Sequence, residues 1–178
     1  MARNVEIKAR AGNVAELTAR VGRMATSGPE EIVQDDTFFH CPEGRLKLRA
    51  FSDGAGQLIF YKRPDTEGPK TSSYSIAPVE NADAMRETLA QALGQAGRVR
   101  KRRTLFLVGR TRVHIDRVED LGNFLELEVV LEEGEPEADG VREAEELLAA
   151  LAIPQSALVD RAYVDLLEAP GKGEPSRP

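Results

Sequence analysis

Four stretches of this 178-residue chain alternate charged and aliphatic side chains one for one, which is the period of a β-strand whose two faces meet different surroundings. In the first, Glu6, Lys8 and Arg10 share one face while Val5, Ile7 and Ala9 share the other. Arg45, Lys47 and Arg49 likewise oppose Leu46 and Leu48. Arg112, His114 and Asp116 oppose Val113 and Ile115, and Glu126 and Glu128 oppose Leu125, Leu127 and Val129. One such stripe is the solvated face of an antiparallel sheet. Three bases at every second position, however, stand about 7 Å apart and repel one another unless an anion lies over them. Residues 98–103 carry five bases in six positions, whereas residues 119–146 hold twelve acids against the single base Arg142. Charge is segregated by strand.

Between the stripes the chain reads as α+β. Residues 5–11 are a strand. Asn13 with Glu16 opens a helix whose apolar positions are Leu17, Val21 and Met24. Residues 33–77 are an antiparallel meander broken by Pro42-Glu43-Gly44, Asp53-Gly54-Ala55-Gly56 and the stretch from Pro64 to Pro69. Asn81 or Asp83 caps a second helix with the stripe Met85, Leu89, Leu93 and Ala96, which Gly97 stops. Strands over 99–108, 111–118 and 123–131, helices over 139–151 and 156–167, and a disordered Pro- and Gly-rich tail over 169–178 complete the expectation. Residues 1–168 then form one domain.

Composition narrows the function classes. No apolar run approaches the ~18 residues of a membrane span, and the N-terminus lacks a signal-peptide core. A single cysteine, Cys41, permits neither an intrachain disulfide nor a Cys-based zinc cage. A cytoplasmic protein is expected. The net charge of -6 argues against a long nucleic acid wrapped outside; an RNA-binding barrel would also need clustered aromatics for stacking, and aromatic content is 5 %. Basic strands beside a strand with paired carboxylates suit a polyanion held together with a divalent cation. A triphosphate needs both. Turning the stripes into a closed barrel desolvates them at a cost that only a ligand justifies.

The ordered series Asn4-Val5-Glu6-Ile7-Lys8, Gly44-Arg45-Leu46-Lys47-Leu48-Arg49, Tyr61-Lys62-Arg63, Lys101-Arg102-Arg103, Phe124-Leu125-Glu126-Leu127-Glu128 and Tyr163-Val164-Asp165-Leu166-Leu167 resembles the CYTH superfamily of triphosphate tunnel enzymes, which includes class IV adenylate cyclases and thiamine triphosphatases. The resemblance implies an eight-stranded antiparallel β-barrel, a tunnel with flanking helices, that binds a triphosphate with Mg²⁺ or Mn²⁺. It assigns Glu6, Glu126 and Glu128 to the metal, with Asp116 as a fourth carboxylate, and Lys8, Arg45, Lys47, Lys62, Lys101, Arg103 and Arg112 to the phosphates. Glu6, Lys8, Glu126 and Glu128 carry the catalysis. Periodicity alone leaves open whether Lys101 and Arg103 or Arg100 and Arg102 face inward; resemblance favours the first pair. Arg49 and Arg10 share the charged faces nearer strand ends. The family has Glu where this chain has Asn4, a neutral and weaker cation ligand.

His114 reads as a hydrogen-bonded interior histidine, with general base or phosphate donor as the alternatives. Tyr163 reads as core. The expected activity is hydrolysis of a small triphosphate such as ATP, thiamine triphosphate or tripolyphosphate. Cyclisation of ATP to cyclic AMP and pyrophosphate, or binding without turnover, are the alternatives. Both a monomer and a homodimer are compatible with the sequence.

Overall fold

The computed structural model describes residues 1–65 and 68–168. The expected tail over 169–178 lies outside them. Eight strands, β1 (Ala2–Arg10), β2 (Ser27–Phe39), β3 (Arg45–Ala50), β4 (Gly56–Lys62), β5 (Lys70–Val79), β6 (Gln95–Val108), β7 (Thr111–Val118) and β8 (Gly122–Val130), close into a barrel in the order β1-β5-β4-β3-β2-β6-β7-β8. Every pairing is antiparallel. Two meanders, β2 to β5 and β6 to β8, are joined along β2 and β6 and sealed by β1.

The helices α1 (Val14–Met24), α2 (Ala82–Leu93), α3 (Glu137–Ala150) and α4 (Tyr163–Glu168) decide which face of each strand is inside. The aliphatic halves of the stripes point outward: Val5, Ile7, Val113, Ile115, Leu125, Leu127 and Val129 form one buried cluster with Leu17 and Val21 of α1 and Ala144, Leu147 and Leu148 of α3. A second layer packs Ala82, Met85 and Leu89 of α2 on Phe39, Leu48 and Val79. Hydrophobic burial therefore lies between barrel and helices, at about 25 cal/mol for each Å² removed from water. The charged halves are left facing the lumen.

Local chemistry accounts for the element ends. Asn13 and Asn81 each accept a hydrogen bond from the backbone N–H three residues on, at 3.1 Å and 3.0 Å, so Asn81 rather than Asp83 caps α2. That helix ends at Leu93, not near Gly97, because Gly94 takes φ 78° and donates its N–H to Ala90. Ala96 and Gly97 belong to β6, and a Cβ at Gly97 would lie 2.4 Å from Cγ2 of Val164 in α4. The expected helix over 156–167 is split into a 3₁₀ turn, Gln155–Ala157, and α4. Leu158 bridges to Ala9, and Val159 donates its N–H to the Lys8 carbonyl at 2.9 Å, so the backbone there serves the sheet instead of a helix.

Candidate active site

The lumen is a cavity of about 840 Å³, counted out to its open mouth. Among the described residues seven cationic side chains and four carboxylates line it, a formal excess of three positive charges. The β1–β8 register sets Glu6 opposite Glu128 and Lys8 opposite Glu126, while β7 sets Arg112 opposite Glu128 and His114 opposite Glu126. Directly opposed residues on one face have Cβ atoms about 5 Å apart, which gathers the carboxylates on one wall. On the other wall β2 sets Asp36 opposite Arg49 and Phe38 opposite Lys47.

Ion pairs order these groups. Lys8 Nζ lies 3.3 Å from Glu126 Oε2, and Arg63 donates to Glu6 Oε1 at 3.1 Å. Asp36 accepts from Lys47 at 2.9 Å and from both arms of Arg49 at 2.8 Å. Arg103 forks onto Asp116 with two 2.7 Å bonds and reaches Glu126 Oε1 at 3.3 Å. From α4 the Tyr163 hydroxyl donates to Asp116 Oδ2 at 2.9 Å, and its ring sits under Lys8 and Lys101, 4.2 Å and 5.1 Å from their Nζ atoms.

Burial and neighbours shift the titrations in opposite senses. Burial, together with Glu126 and Glu128, raises Glu6 above its ordinary value of 4.5, against the pull of Arg63. Burial would also raise Glu126, but Lys8 and Arg103 outweigh it and hold that carboxyl well below the usual range. Burial and Arg103 bring Lys101 down to about 7, and burial and Arg49 lower Lys47 despite Asp36. Burial is the larger cause for both lysines, and the neighbouring guanidinium groups add to it.

Eight of the residues nominated from sequence come together here: Glu6, Glu126 and Glu128, with Lys8, Lys47, Lys101, Arg103 and Arg112. Arg100 and Arg102 are exposed on the outer face of β6. Three nominated residues stand elsewhere. Lys62 points away because Ile59 and Tyr61 hold the inward positions of β4; its ammonium pairs with Glu43 in solvent. Arg45 is drawn to the barrel end, where both its arms bind Asp165 of α4 at 2.8 Å and 2.7 Å. Asp116 has no exposed surface and lies behind the lumen lining, where Arg103 and Tyr163 bind its two oxygens, so it orients a lumen cation.

Sequence reasoning missed Asp36 and Arg63, and it left Arg49 undecided. Asp36 shares its face with Phe38, which breaks the charged stripe, and Arg63, one residue beyond β4, continues an inward face whose other members, Ile59 and Tyr61, carry no charge to announce it. His114 is interior, as its place on the inward stripe implies. It is 3 % exposed, and its Nδ1 has no hydrogen-bond partner. Nδ1 and one oxygen each from Glu126 and Glu128 lie within 4.8 Å of one another, a donor set that fits a divalent cation.

A closed antiparallel barrel with charge inside and helices on its apolar outer face is the architecture of the CYTH domain, and this chain belongs to that family, which it matches over residues 2–163. It is 26 % identical over 175 residues to the adenylate cyclase CyaB of Aeromonas hydrophila, covering 92 % of this chain and 88 % of that protein. The PH1012 protein of Pyrococcus horikoshii OT3 superposes with a TM-score of 0.81 at 20 % identity, over 92 % of this chain and 98 % of the other. The Hippeastrum protein HpAC1, studied as an adenylyl cyclase and found to have a dominant triphosphatase activity, gives 0.63 at 15 % identity, over 92 % and 93 %. These structural likenesses establish the shared fold. No helix among the described residues is long and apolar enough to cross a membrane.

Proposed function

We propose that the protein is a divalent-metal-dependent enzyme that holds the triphosphate of a small molecule in the lumen and hydrolyses it. The observation that carries this reading is the formal excess of three positive charges in a cavity enclosed by the barrel beside a wall of carboxylates. Non-bridging phosphate oxygens accept hydrogen bonds from Lys47, Arg49, Lys101 and Arg103, replacing the mutual repulsion of those cations with attraction. Glu126 and Glu128 hold Mg²⁺ or Mn²⁺, which when bound neutralises charge on the phosphoryl group.

Glu6, opposite Glu128, is the base. A water oxygen bonds to the terminal phosphorus, and the bond from that phosphorus to the bridging oxygen breaks. The electron pair leaves on the diphosphate, and the water proton passes to the Glu6 carboxylate. Glu6 must be ionised to accept that proton, and burial raises its pKa from the ordinary carboxylate value, so the rate falls on acidification.

Cyclisation is the second reading. It is favoured by the CyaB relative and by Ile59, Tyr74 and Ile76 on the lumen wall, an apolar surface for a base. Incubating the protein with ATP, thiamine triphosphate or tripolyphosphate and either metal separates the reactions. Orthophosphate release is the expected product; cyclic AMP with pyrophosphate would replace hydrolysis by cyclisation, and tight binding with no product would contradict both.

A further inference from the structure

We infer that His114 is a cation ligand, its Nδ1 joining Glu126 and Glu128 in a mixed nitrogen and oxygen site that favours Mn²⁺ over Mg²⁺. The inference rests on the metal-dependent reading of the lumen and adds to it a donor and a preference. The Nδ1 atom lies 3.6 Å from Glu126 Oε1 and 3.9 Å from Glu128 Oε1. Both separations are too long for hydrogen bonds. They match the spacing of donors around a shared ion, since ligand atoms ~2.1 Å from a common cation stand roughly 3 to 4 Å apart.

The placement is built into the sheet. His114 faces Glu126 directly across the β7–β8 ladder, and Glu128 is the next lumen residue along β8, so two adjacent strands present all three atoms without a loop. Lys8 holds Glu126 through Oε2, Arg103 steadies Oε1 at 3.3 Å, and Arg112 approaches Glu128 through Oε2. That leaves Glu128 Oε1 and the imidazole nitrogen converging on one point. An orphaned ring nitrogen on a residue only 3 % exposed is costly unless something binds it. Carboxylates suit both Mn²⁺ and Mg²⁺, but Mn²⁺, the first member of the divalent transition series, accepts an imidazole nitrogen more readily than Mg²⁺, which keeps an oxygen shell.

The chain contains two histidines, His40 and His114, and His40 is exposed outside the lumen. Pulsed electron paramagnetic resonance of full-length, chelator-stripped protein loaded with Mn²⁺ alone is expected to show ¹⁴N modulation from one imidazole. The modulation should convert to the ¹⁵N pattern on ¹⁵N-histidine labelling, persist in His40→Gln and vanish in His114→Gln. Calorimetry should show Mn²⁺ affinity at least about tenfold weaker in His114→Gln, with Mg²⁺ affinity nearly unchanged. Mn²⁺ binding that depends on Glu128 but lacks nitrogen coupling would overturn the histidine ligand and leave the lumen reading standing; no Mn²⁺ binding at all would overturn both. The wild-type spectrum decides the ligand even if the variant folds poorly.

Discussion

Glu128→Gln is expected to lower kcat/KM by at least about a hundredfold in the presence of either metal, the loss that follows removal of one charge-stabilising group from a desolvated site. The fold should survive. Among the described residues the only strong base paired with Glu128 is Arg112, at 3.6 Å, and that side chain is 46 % exposed, so water takes over the pairing. Glu126 offers no such clean test, because neutralising it strands Lys8 and Arg103 inside the barrel. Steady-state rates beside a thermal melt check the expectation. Wild-type turnover in Glu128→Gln would remove this carboxylate from the site.

Asp116→Asn should do the reverse and damage the fold first. Asp116 is fully buried, takes two N–H groups of Arg103 and accepts from Tyr163, which ties β6, β7 and α4 together. Removing one partner of a buried pair costs about 3–5 kcal/mol, a melting temperature lower by roughly 10 °C for a chain of this size. Burial raises its pKa, but Arg103 and Lys101 outweigh that and leave it near 2, below the ordinary 3.8. Its stabilisation is therefore complete above 3.8 and is lost as pH falls towards 2. The wild-type and variant melting curves should converge on acidification. A constant gap down to pH 2 would mean that the carboxylate charge is not what stabilises this corner.

The barrel was legible because alternation on β1, β3, β7 and β8 is strict, and a one-residue slip would bury every charge under a helix. That same parity brought Glu6, Lys8, Lys47, Glu126 and Glu128 to one cavity. The family motif was less discriminating. Lys62 and Arg63 are neighbours in the motif that carried the resemblance, yet Arg63 continues the inward alternation of Ile59 and Tyr61 while Lys62 faces outward. Arg45 obeys parity, but Asp165, 120 residues further on, captures it. The role of Asp36 was hidden for a similar reason: its value lies in the Lys47 and Arg49 that β3 brings alongside, a pairing with no signature within β2. The His114 orphan is a property of three-dimensional distances, and no spacing in the sequence reveals it.

The central claim is that phosphate is held by charges turned inward, and Lys47 and Lys62 test it as a matched pair, since both lie in basic motifs but only Lys47 faces the lumen. Titration calorimetry of tripolyphosphate into the wild-type protein, Lys47→Ala and Lys62→Ala reads it directly. Arg49 still grips Asp36 in the first variant through two 2.8 Å bonds, which protects the fold. Loss of one charge-assisted contact, about 1.5–3 kcal/mol, should weaken binding roughly tenfold or more in Lys47→Ala, with Lys62→Ala indistinguishable from wild type. No binding to the wild type, or equal weakening by the two substitutions, would contradict a phosphate site inside the barrel.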